Sequence, residues 1–205
     1  MCANFLPARP EKLRPFGLPD PGFAFGECYP GKIAPILAND APDLWRPAAF
    51  GMVPHWGKPE LVRMTYNARS ETVGEKPSFR NAWRHRQFCI LPVEAFFEPN
   101  YESGKAVRWQ IRRKDFQAFG LACIWEHRQE DQGPLRWTFS MLTINADNHP
   151  LMKRFHKPQD EKRSVVILPA NQWQSWLAAK DEGAAVKLLG EFDPVEYEAM
   201  ESPRR

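Results

Sequence analysis

The chain has 205 residues, of which 43% are hydrophobic and 26% charged, and these values are ordinary for one globular domain with a sizeable core. The formal net charge of +3 is too small to establish a nucleic-acid partner by itself. No signal peptide is visible in residues 1–16, and the longest apolar run, at 119–125, is too short to span a bilayer. We therefore expect a cytoplasmic protein with no membrane partner.

Strand-like runs recur along most of the chain. The segment 106–113 (AVRWQIRR) alternates apolar and polar residues, which predicts a half-buried strand. The segment 88–97 (FCILPVEAFF) is almost wholly apolar and predicts a central strand with a bend at its proline. The full set of predicted strands is 22–27, 33–37, 48–53, 62–67, 87–97, 106–112, 116–125 and 136–144.

Helical signals are fewer and are found at 76–87, 145–155 and 171–180. In the last segment Trp173, Trp176 and Leu177 share one stripe, which is typical of a core face, and Asn171 is a candidate N-cap. Together the elements predict an α+β fold: a curved, mainly antiparallel, barrel-like β-sheet with peripheral helices. We assign residues 1–192 to this single domain and 193–205 to a polar C-terminal tail that packs loosely.

The four cysteines are scattered, and no two of them form a CxxC pair. This spacing indicates reduced thiols and argues against a zinc site. Cys89 and Cys123 lie in apolar strand-like runs, which is typical of inert core thiols. We expect no metal and no cofactor.

Basic and aromatic residues alternate between residues 63 and 90. This stretch contains six Lys or Arg residues and only two acidic residues, and Phe79, Trp83 and Phe88 lie between them in sequence. Taken alone, this pattern favours a solvated helix face. The alternative is a groove that follows phosphates and carries aromatic platforms for bases.

Cys2 directly follows the initiator methionine, and we expect Met1 to be trimmed because cysteine is small. The new α-amine would have a pKa near 7.7–8.0, so a substantial fraction would be neutral at pH 7.4. Such an amine attacks an aldehyde to form a Schiff base, and the neighbouring thiol can then close a five-membered thiazolidine ring. The dipeptide alone favours the alternative that Cys2 is an ordinary residue.

Three further segments contain residue types that this chemistry needs. Asn67 and Arg69 follow a strand-like run and can bind oxygen atoms and phosphate, although a polar turn would look the same. Glu98 ends an apolar run, where desolvation would raise its pKa, although a solvated strand-end residue would look the same. His156 lies among basic residues and can shuttle a proton, or is simply a surface histidine.

Four motifs occur in order along residues 2–170. They are the MC start, Trp56 followed by NARSET (67–72), a strand running from FC (88–89) to FFE (96–98), and FH (155–156) followed by RSVVILP (163–169). In this order they resemble the SOS response-associated peptidase (SRAP) family, also called abasic site processing proteins. Each motif is weak alone, but four in the correct order are specific.

The resemblance implies one SRAP domain that binds single-stranded DNA containing abasic sites and acts in the DNA damage response. It also implies autocatalytic loss of Met1 and a thiazolidine DNA–protein crosslink. By position, Cys2 would be the nucleophile and Asn67 would hold the amine and the sugar-derived oxygen. Glu98 would be the acid–base group, and His156 would assist ring opening and crosslink reversal. We expect a monomer.

The same resemblance places Arg69 on a phosphate beside the lesion and Trp56 near the flanking bases. We add Arg80 and Arg84 as candidate DNA contacts because they lie in the basic, aromatic segment. Lys153 and Arg163 are added because they lie in the basic segment around His156.

The chain departs from the family pattern in three places. Ala3 and Asn4 stand where many members have Gly and Arg, residues 32–35 read KIAP instead of Asn-Val-Ala-Pro, and KPQDEK (157–162) separates His156 from Arg163. These changes concern DNA contacts more than crosslinking. Two alternatives stay open: an N-terminal-cysteine peptidase or amidohydrolase with a non-DNA substrate, and a non-catalytic nucleic-acid binding module.

Overall fold

The computed structural model describes residues 2–22, 26–129 and 136–203. Its strands are β1 (Phe5–Pro7), β2 (Ile33–Ala38), β3 (Trp45–Phe50), β4 (Asn67–Arg69), β5 (Phe88–Asn100), β6 (Val107–Arg113), β7 (Phe119–His127), β8 (Trp137–Asn145), β9 (Arg163–Val165), β10 (Ile167–Leu168) and β11 (Tyr197–Glu201). The α-helices are all short: α1 (Pro10–Leu13), α2 (Arg80–Arg84), α3 (Trp173–Leu177) and α4 (Glu182–Val186). No helix within the described ranges is both long and apolar enough to cross a membrane.

Five strands close into a barrel. β7 pairs with β8 on one side and with β5 on the other, and β3 and β2 complete the ring between β8 and β5. Only the β3–β8 pairing of this ring is parallel. Phe5, Phe50 and Phe139 pack together at the centre of the core, with the first two rings 5.0 Å apart and the last two 5.4 Å apart. The predicted α+β fold with a mainly antiparallel, barrel-like sheet is confirmed.

β5 organises the sheet because its 13 residues are nearly all buried. Its first half, up to Val93, pairs with β7, and its second half, from Ala95, pairs with β6. The change of partner comes at Glu94, two residues after Pro92, which has no N–H to donate to a ladder. As a result, the end of β5 that carries Glu98 leaves the closed ring and pairs with β6 instead.

β1 fixes the first residues of the chain against the core. It pairs antiparallel with β5, with Phe5 opposite Phe96, and Phe5 also exchanges both backbone hydrogen bonds with Cys28. A three-residue strand is too short to show any periodicity, so the sequence did not predict it. Because β1 pairs with β5, Cys2 lies next to the half of β5 that pairs with β6.

The predicted strands at 33–37, 87–97, 106–112, 116–125 and 136–144 correspond to β2, β5, β6, β7 and β8, and 48–53 overlaps the end of β3. The predicted strand at 62–67 is wrong, because its first two residues end a 3-10 helix that spans Pro59–Arg63 and β4 begins only at Asn67. The predicted strand at 22–27 includes residues 23–25, which lie outside the described ranges.

The predicted helix at 145–155 is also wrong. Only Met152–Arg154 forms a 3-10 turn there. Asn145 accepts from the backbone N–H of Asp147 at 3.0 Å, and Pro150 follows, so the segment opens as a side-chain-capped turn instead of a helix. The other two helices form but are shorter than predicted, as α2 and α3. Asn171 lies in the 3-10 turn before α3 and does not cap it.

Residues 193–203 do not form a loosely packed tail. β11 pairs with β6 along five residues, from Tyr197 opposite Arg113 to Glu201 opposite Trp109. The ring of Tyr197 is buried and packs edge-on against Phe119 and Phe192, at 5.4 and 4.6 Å between centroids. Burial of one aromatic ring in this polar segment accounts for its order. The domain boundary at 192 stays a prediction.

Candidate active site at Cys2

Cys2 is buried, with 1% of its surface exposed. Its backbone carbonyl accepts a hydrogen bond of 2.7 Å from Nδ2 of Asn67, at the start of β4. Its thiol donates to the carbonyl of Asn4 at 3.4 Å. The residue is therefore held from both its main chain and its side chain, and it does not lie on an open outer surface.

Glu98 and His156 lie beside Cys2. Glu98 is on the half of β5 that pairs with β6, and His156 donates its backbone N–H to the carbonyl of Pro99 at 2.9 Å. Oε2 of Glu98 and Nδ1 of His156 are 3.7 Å apart, and both side chains are almost fully buried. His156 adopts φ 65°, a left-handed conformation that is uncommon for a residue with a side chain. Such local strain is often found at functional sites.

Burial shifts the pKa of all three groups. It raises the pKa of Glu98 from its ordinary 4.5 to about 7. It raises the pKa of the Cys2 thiol to about 12, and the nearby Glu98 carboxylate raises it further. It lowers the pKa of His156 to about 4. At pH 7 the site therefore contains a thiol, a neutral imidazole and a carboxyl group present in both protonation states.

The hydrogen bonds of His156 indicate which ring nitrogen carries the proton. Nε2 lies 3.2 Å from the carbonyl oxygen of Arg163, which can only accept, so we place the proton on Nε2. Nδ1 then has its lone pair directed toward Glu98. The imidazole is a fixed acceptor in this arrangement, and Glu98 is the group that can both give and take a proton near neutral pH.

The four predicted catalytic residues, Cys2, Asn67, Glu98 and His156, thus come together in one site although they are far apart in sequence. Tyr66, which precedes Asn67, was not predicted as a site residue. Burial raises the pKa of its hydroxyl, and the charges of Glu98 and Cys2 raise it further, so Tyr66 belongs to the electrostatic surroundings of the site. The only signal for Tyr66 was its position next to Asn67.

Asn4 was noted only as a departure from the family pattern, but it is a buried anchor of the N-terminal segment. Its Nδ2 donates to the carbonyl of Cys28 at 3.1 Å, and its Oδ1 accepts from Nη2 of Arg108 at 2.6 Å. The guanidinium of Arg108 also lies 3.6 Å from the ring centroid of Phe97. Asn4 is therefore buried and stabilises the carbonyl that holds the Cys2 thiol.

The predicted DNA contacts differ in their exposure to solvent and in their ion pairs. Trp56 is 55% exposed. Arg80 and Arg84 are exposed on α2, and Lys153 is exposed in the turn before His156. The Arg69 side chain is 49% exposed, but its Nη1 donates to Oε2 of Glu161 at 2.6 Å.

Arg163 is different because it is buried, with 3% of its surface exposed. Its guanidinium donates to Glu71, Glu161 and the carbonyl of Thr143 at 2.7–2.9 Å. These partners are typical of an arginine that stabilises a loop. A direct DNA contact by Arg163 stays a prediction, and such a contact would require this cluster to open.

Among the described residues, no three His, Cys, Asp or Glu side chains form a group that could hold a metal ion. The four cysteines are all buried and free, and Cys89 lies opposite Cys123 in the β5–β7 ladder.

A family model described as SOS response associated peptidase (SRAP) matches residues 26–203. The chain belongs to the SRAP family. The resemblance read from the four motifs is confirmed, and the match covers three of the four predicted catalytic residues, Asn67, Glu98 and His156. Cys2 lies before the matched range, so its place in the site rests on the geometry described above.

Curated relatives include the abasic site processing proteins YoqW and YobE of Bacillus subtilis (strain 168), which are 29% and 30% identical to this SRAP chain over 156 residues. These alignments cover 74% of the chain and 66% and 68% of the relatives. A crystal structure of a protein from Bordetella bronchiseptica superposes with a TM-score of 0.88 at 30% identity, covering 99% of this chain and 100% of that one. A structure from Bacteroides thetaiotaomicron has a TM-score of 0.82 at 24% identity, covering 97% and 90%, and supports the fold alone.

Proposed function

We propose that this protein processes abasic sites in single-stranded DNA, and that Cys2 captures the ring-opened aldehyde of the lesion as a thiazolidine. One observation carries the proposal: Cys2 lies in a buried site with the amide of Asn67, the carboxyl group of Glu98 and the imidazole of His156. The names of the curated relatives support the substrate class.

The first step is hydrolysis of the Met1–Cys2 peptide bond. One water molecule is consumed, the carboxyl group stays on methionine, and Cys2 gains a free α-amine. Asn67 holds the Cys2 carbonyl at 2.7 Å and so fixes the new terminus. Glu98, with a pKa of about 7, accepts a proton from the attacking water and returns one to the departing amine.

Capture of the lesion then takes two steps. The neutral α-amine attacks the aldehyde carbon to give a carbinolamine, and protonated Glu98 donates a proton to its hydroxyl group as water leaves and the imine forms. The Cys2 thiol next adds across the C=N bond: a C–S bond forms and the thiol proton passes to nitrogen through Glu98. The product is a thiazolidine, with one water released overall.

The neutral imidazole of His156 accepts a hydrogen bond from protonated Glu98 or from the sugar hydroxyl released on ring opening. It can do so because Nε2 is committed to the carbonyl of Arg163 and Nδ1 lies 3.7 Å from Oε2 of Glu98. Asn67 provides one amide nitrogen to the Cys2 carbonyl, and its Oδ1 has no hydrogen-bond partner within the described residues. That oxygen can accept a hydrogen bond from the amine or from a sugar hydroxyl.

The DNA strand would follow exposed cations. Arg69, Arg80, Arg84 and Lys153 supply positive charge, Trp56 supplies an exposed ring for stacking on a base, and Arg163 would join only if its acids were displaced. We propose that a monomer is sufficient.

The test is covalent capture. Full-length protein is incubated with a single-stranded oligonucleotide that contains one abasic site, and the mixture is heated and run on a denaturing gel. The wild type should give a shifted band whose intact mass equals protein without Met1, plus DNA, minus one water.

Matched variants separate the roles of the two nucleophilic atoms. Cys28→Ala, which removes another buried thiol, should leave the band intact. Cys2→Ser keeps the amine and should give a product that survives heating only after borohydride reduction. A heat-stable product from Cys2→Ala equal to that of the wild type would refute the proposal.

A further inference from the structure

The loop 157–162 between His156 and β9 contains an acid that divides its two oxygens between two arginines. Oε2 of Glu161 accepts from Nη1 of Arg69 at 2.6 Å. Oε1 accepts from Nη1 of Arg163 at 2.8 Å and from Nδ2 of Asn145 at 3.1 Å. One oxygen is thus directed to an exposed cation and the other to an almost fully buried one.

Glu161 is fixed in this place from the inner side. Arg163 is 3% exposed and is itself held by both oxygens of Glu71. The next residue, Lys162, donates its backbone N–H to Oδ1 of Asp147 at 2.8 Å and accepts at 2.8 Å from the backbone N–H of Ala146. If Arg69 turned away, the Glu161 carboxylate would therefore stay in its place beside Arg163.

We propose that Glu161 competes with DNA phosphate for Arg69, and that it thereby weakens the hold of the protein on undamaged single-stranded DNA. This inference rests on the proposed function, because it takes DNA as the partner of Arg69. A phosphate that reaches Arg69 must displace Oε2 of Glu161 and then remain near a like charge that cannot leave.

The competition affects binding and covalent capture differently. The time that the protein stays bound to an intact strand depends only on non-covalent contacts. The pairing of Arg69 with Glu161 removes one such contact and therefore shortens this time. Capture ends in a covalent bond, so it needs only a brief encounter. Glu161 therefore favours release from undamaged DNA at little cost to the reaction at a lesion.

Binding is measured in the Cys2→Ala background, which cannot form a thiazolidine, by fluorescence anisotropy with an intact single-stranded oligonucleotide at several salt concentrations. Glu161→Gln keeps an oxygen for Arg163 but removes the charge beside Arg69. It should bind about 2- to 5-fold more tightly, the range expected for an exposed ion pair. One more phosphate contact should steepen the slope of log K against log salt by about 0.7.

Asp160→Asn is the matched control, because it removes an exposed acid from the adjacent position of the same loop and Asp160 is not paired with Arg69. It should change affinity by less than half as much. Arg69→Gln should weaken binding more in the Glu161→Gln background than with Glu161 present, and it should abolish the gain that Glu161→Gln gives.

A functional readout uses protein with Cys2 intact. In the presence of a large excess of undamaged strand, Glu161→Gln should crosslink an abasic oligonucleotide more slowly than the wild type, and without competitor it should crosslink at least as fast.

The inference is overturned if Glu161→Gln and Asp160→Asn bind alike, or if the gain in affinity persists without Arg69. Failure of the proposed function is a separate result, because no Cys2-dependent crosslink would then form with any variant.

Discussion

Glu98 and His156 are expected to change the free energy of unfolding with pH in opposite directions. Burial raises the pKa of Glu98 from 4.5 to about 7. Between these values the folded protein keeps a proton that the unfolded chain has lost. The stability that Glu98 contributes is therefore fully present below pH 4.5 and is lost as the pH rises through 7.

His156 behaves in the opposite sense because burial lowers its pKa from 6.5 to about 4. Between these values the unfolded chain binds a proton that the folded protein does not. The corresponding stability is present above pH 6.5 and is lost as the pH falls through 4.

The two effects are similar in size. Each pKa differs from its ordinary value by an interval that corresponds to about 3 kcal/mol, at about 1.4 kcal/mol per pH unit. The two side chains are only 1% and 7% exposed, so solvent does not screen the effect appreciably. In the wild type the opposing slopes largely cancel between pH 4.5 and 6.5, and only variants can separate them.

The variants are Glu98→Gln and His156→Asn, each compared with the wild type by urea unfolding at a series of pH values from 4 to 8, followed by tryptophan fluorescence. Glutamine keeps the size of Glu98, and asparagine tolerates the left-handed backbone at position 156. Relative to the wild type, Glu98→Gln should gain about 3 kcal/mol as the pH rises from 4.5 to 7. His156→Asn should gain about 3 kcal/mol as the pH falls from 6.5 to 4.

The double variant is the internal control. If the two groups titrate independently, its difference from the wild type equals the sum of the single differences and is nearly flat between pH 4.5 and 6.5. Difference curves that are flat for both single variants would show that neither pKa is shifted, and two slopes of the same sign would contradict the assignment of burial as the common cause.

The rate of crosslinking by wild-type protein should fall above about pH 8, where the α-amine is already mostly neutral and protonated Glu98 is still being lost, and Glu98→Gln should lower the rate about 100-fold and remove this limb of the pH–rate profile. Single-turnover gel assays at constant ionic strength measure both, and an unchanged alkaline limb in the variant would contradict the role of Glu98. Gly51→Ala should destabilise the fold by about 2–5 kcal/mol, because Gly51 has φ 113° and an added Cβ would overlap the carbonyl oxygen of Val62. Gly104→Ala is the control, since Gly104 has φ 79° but open space around it, and it should cost only about 1–2 kcal/mol in the same urea assay. Equal losses for the two glycine variants would show that the contact with Val62 does not matter.

The sequence predicted the elements whose pattern is longer than about five residues. β5, β6, β7 and β8 combine alternation or continuous burial with sufficient length, and each was found close to its predicted bounds. β1, β9, β10 and β11 have only two to five residues, and they form because neighbouring strands offer an edge. Such pairing depends on tertiary contacts that no local window contains.

The candidate site was predictable in its residues but not in its geometry. Motif order indicated Cys2, Asn67, Glu98 and His156, and the fold unites them because β1 and the far half of β5 pair directly. The places of Tyr66 and Asn4 were missed because a tyrosine beside a polar motif and an asparagine near a terminus are common. Only the three-dimensional arrangement shows that the charge of Glu98 acts on the Tyr66 hydroxyl and that Asn4 is fixed by Arg108.

Burial of Cys2 also determines the order of the proposed chemistry. With a thiol pKa of about 12, thiolate is rare at pH 7, whereas an α-amine with an ordinary pKa near 8 is partly neutral. Attack by nitrogen therefore precedes bond formation by sulfur, and the sulfur reacts as a thiol that must pass its proton to the imine nitrogen. A site of this kind needs one proton carrier that changes state near neutral pH, and Glu98 meets that need because the same dry surroundings that suppress the thiolate raise its pKa to about 7.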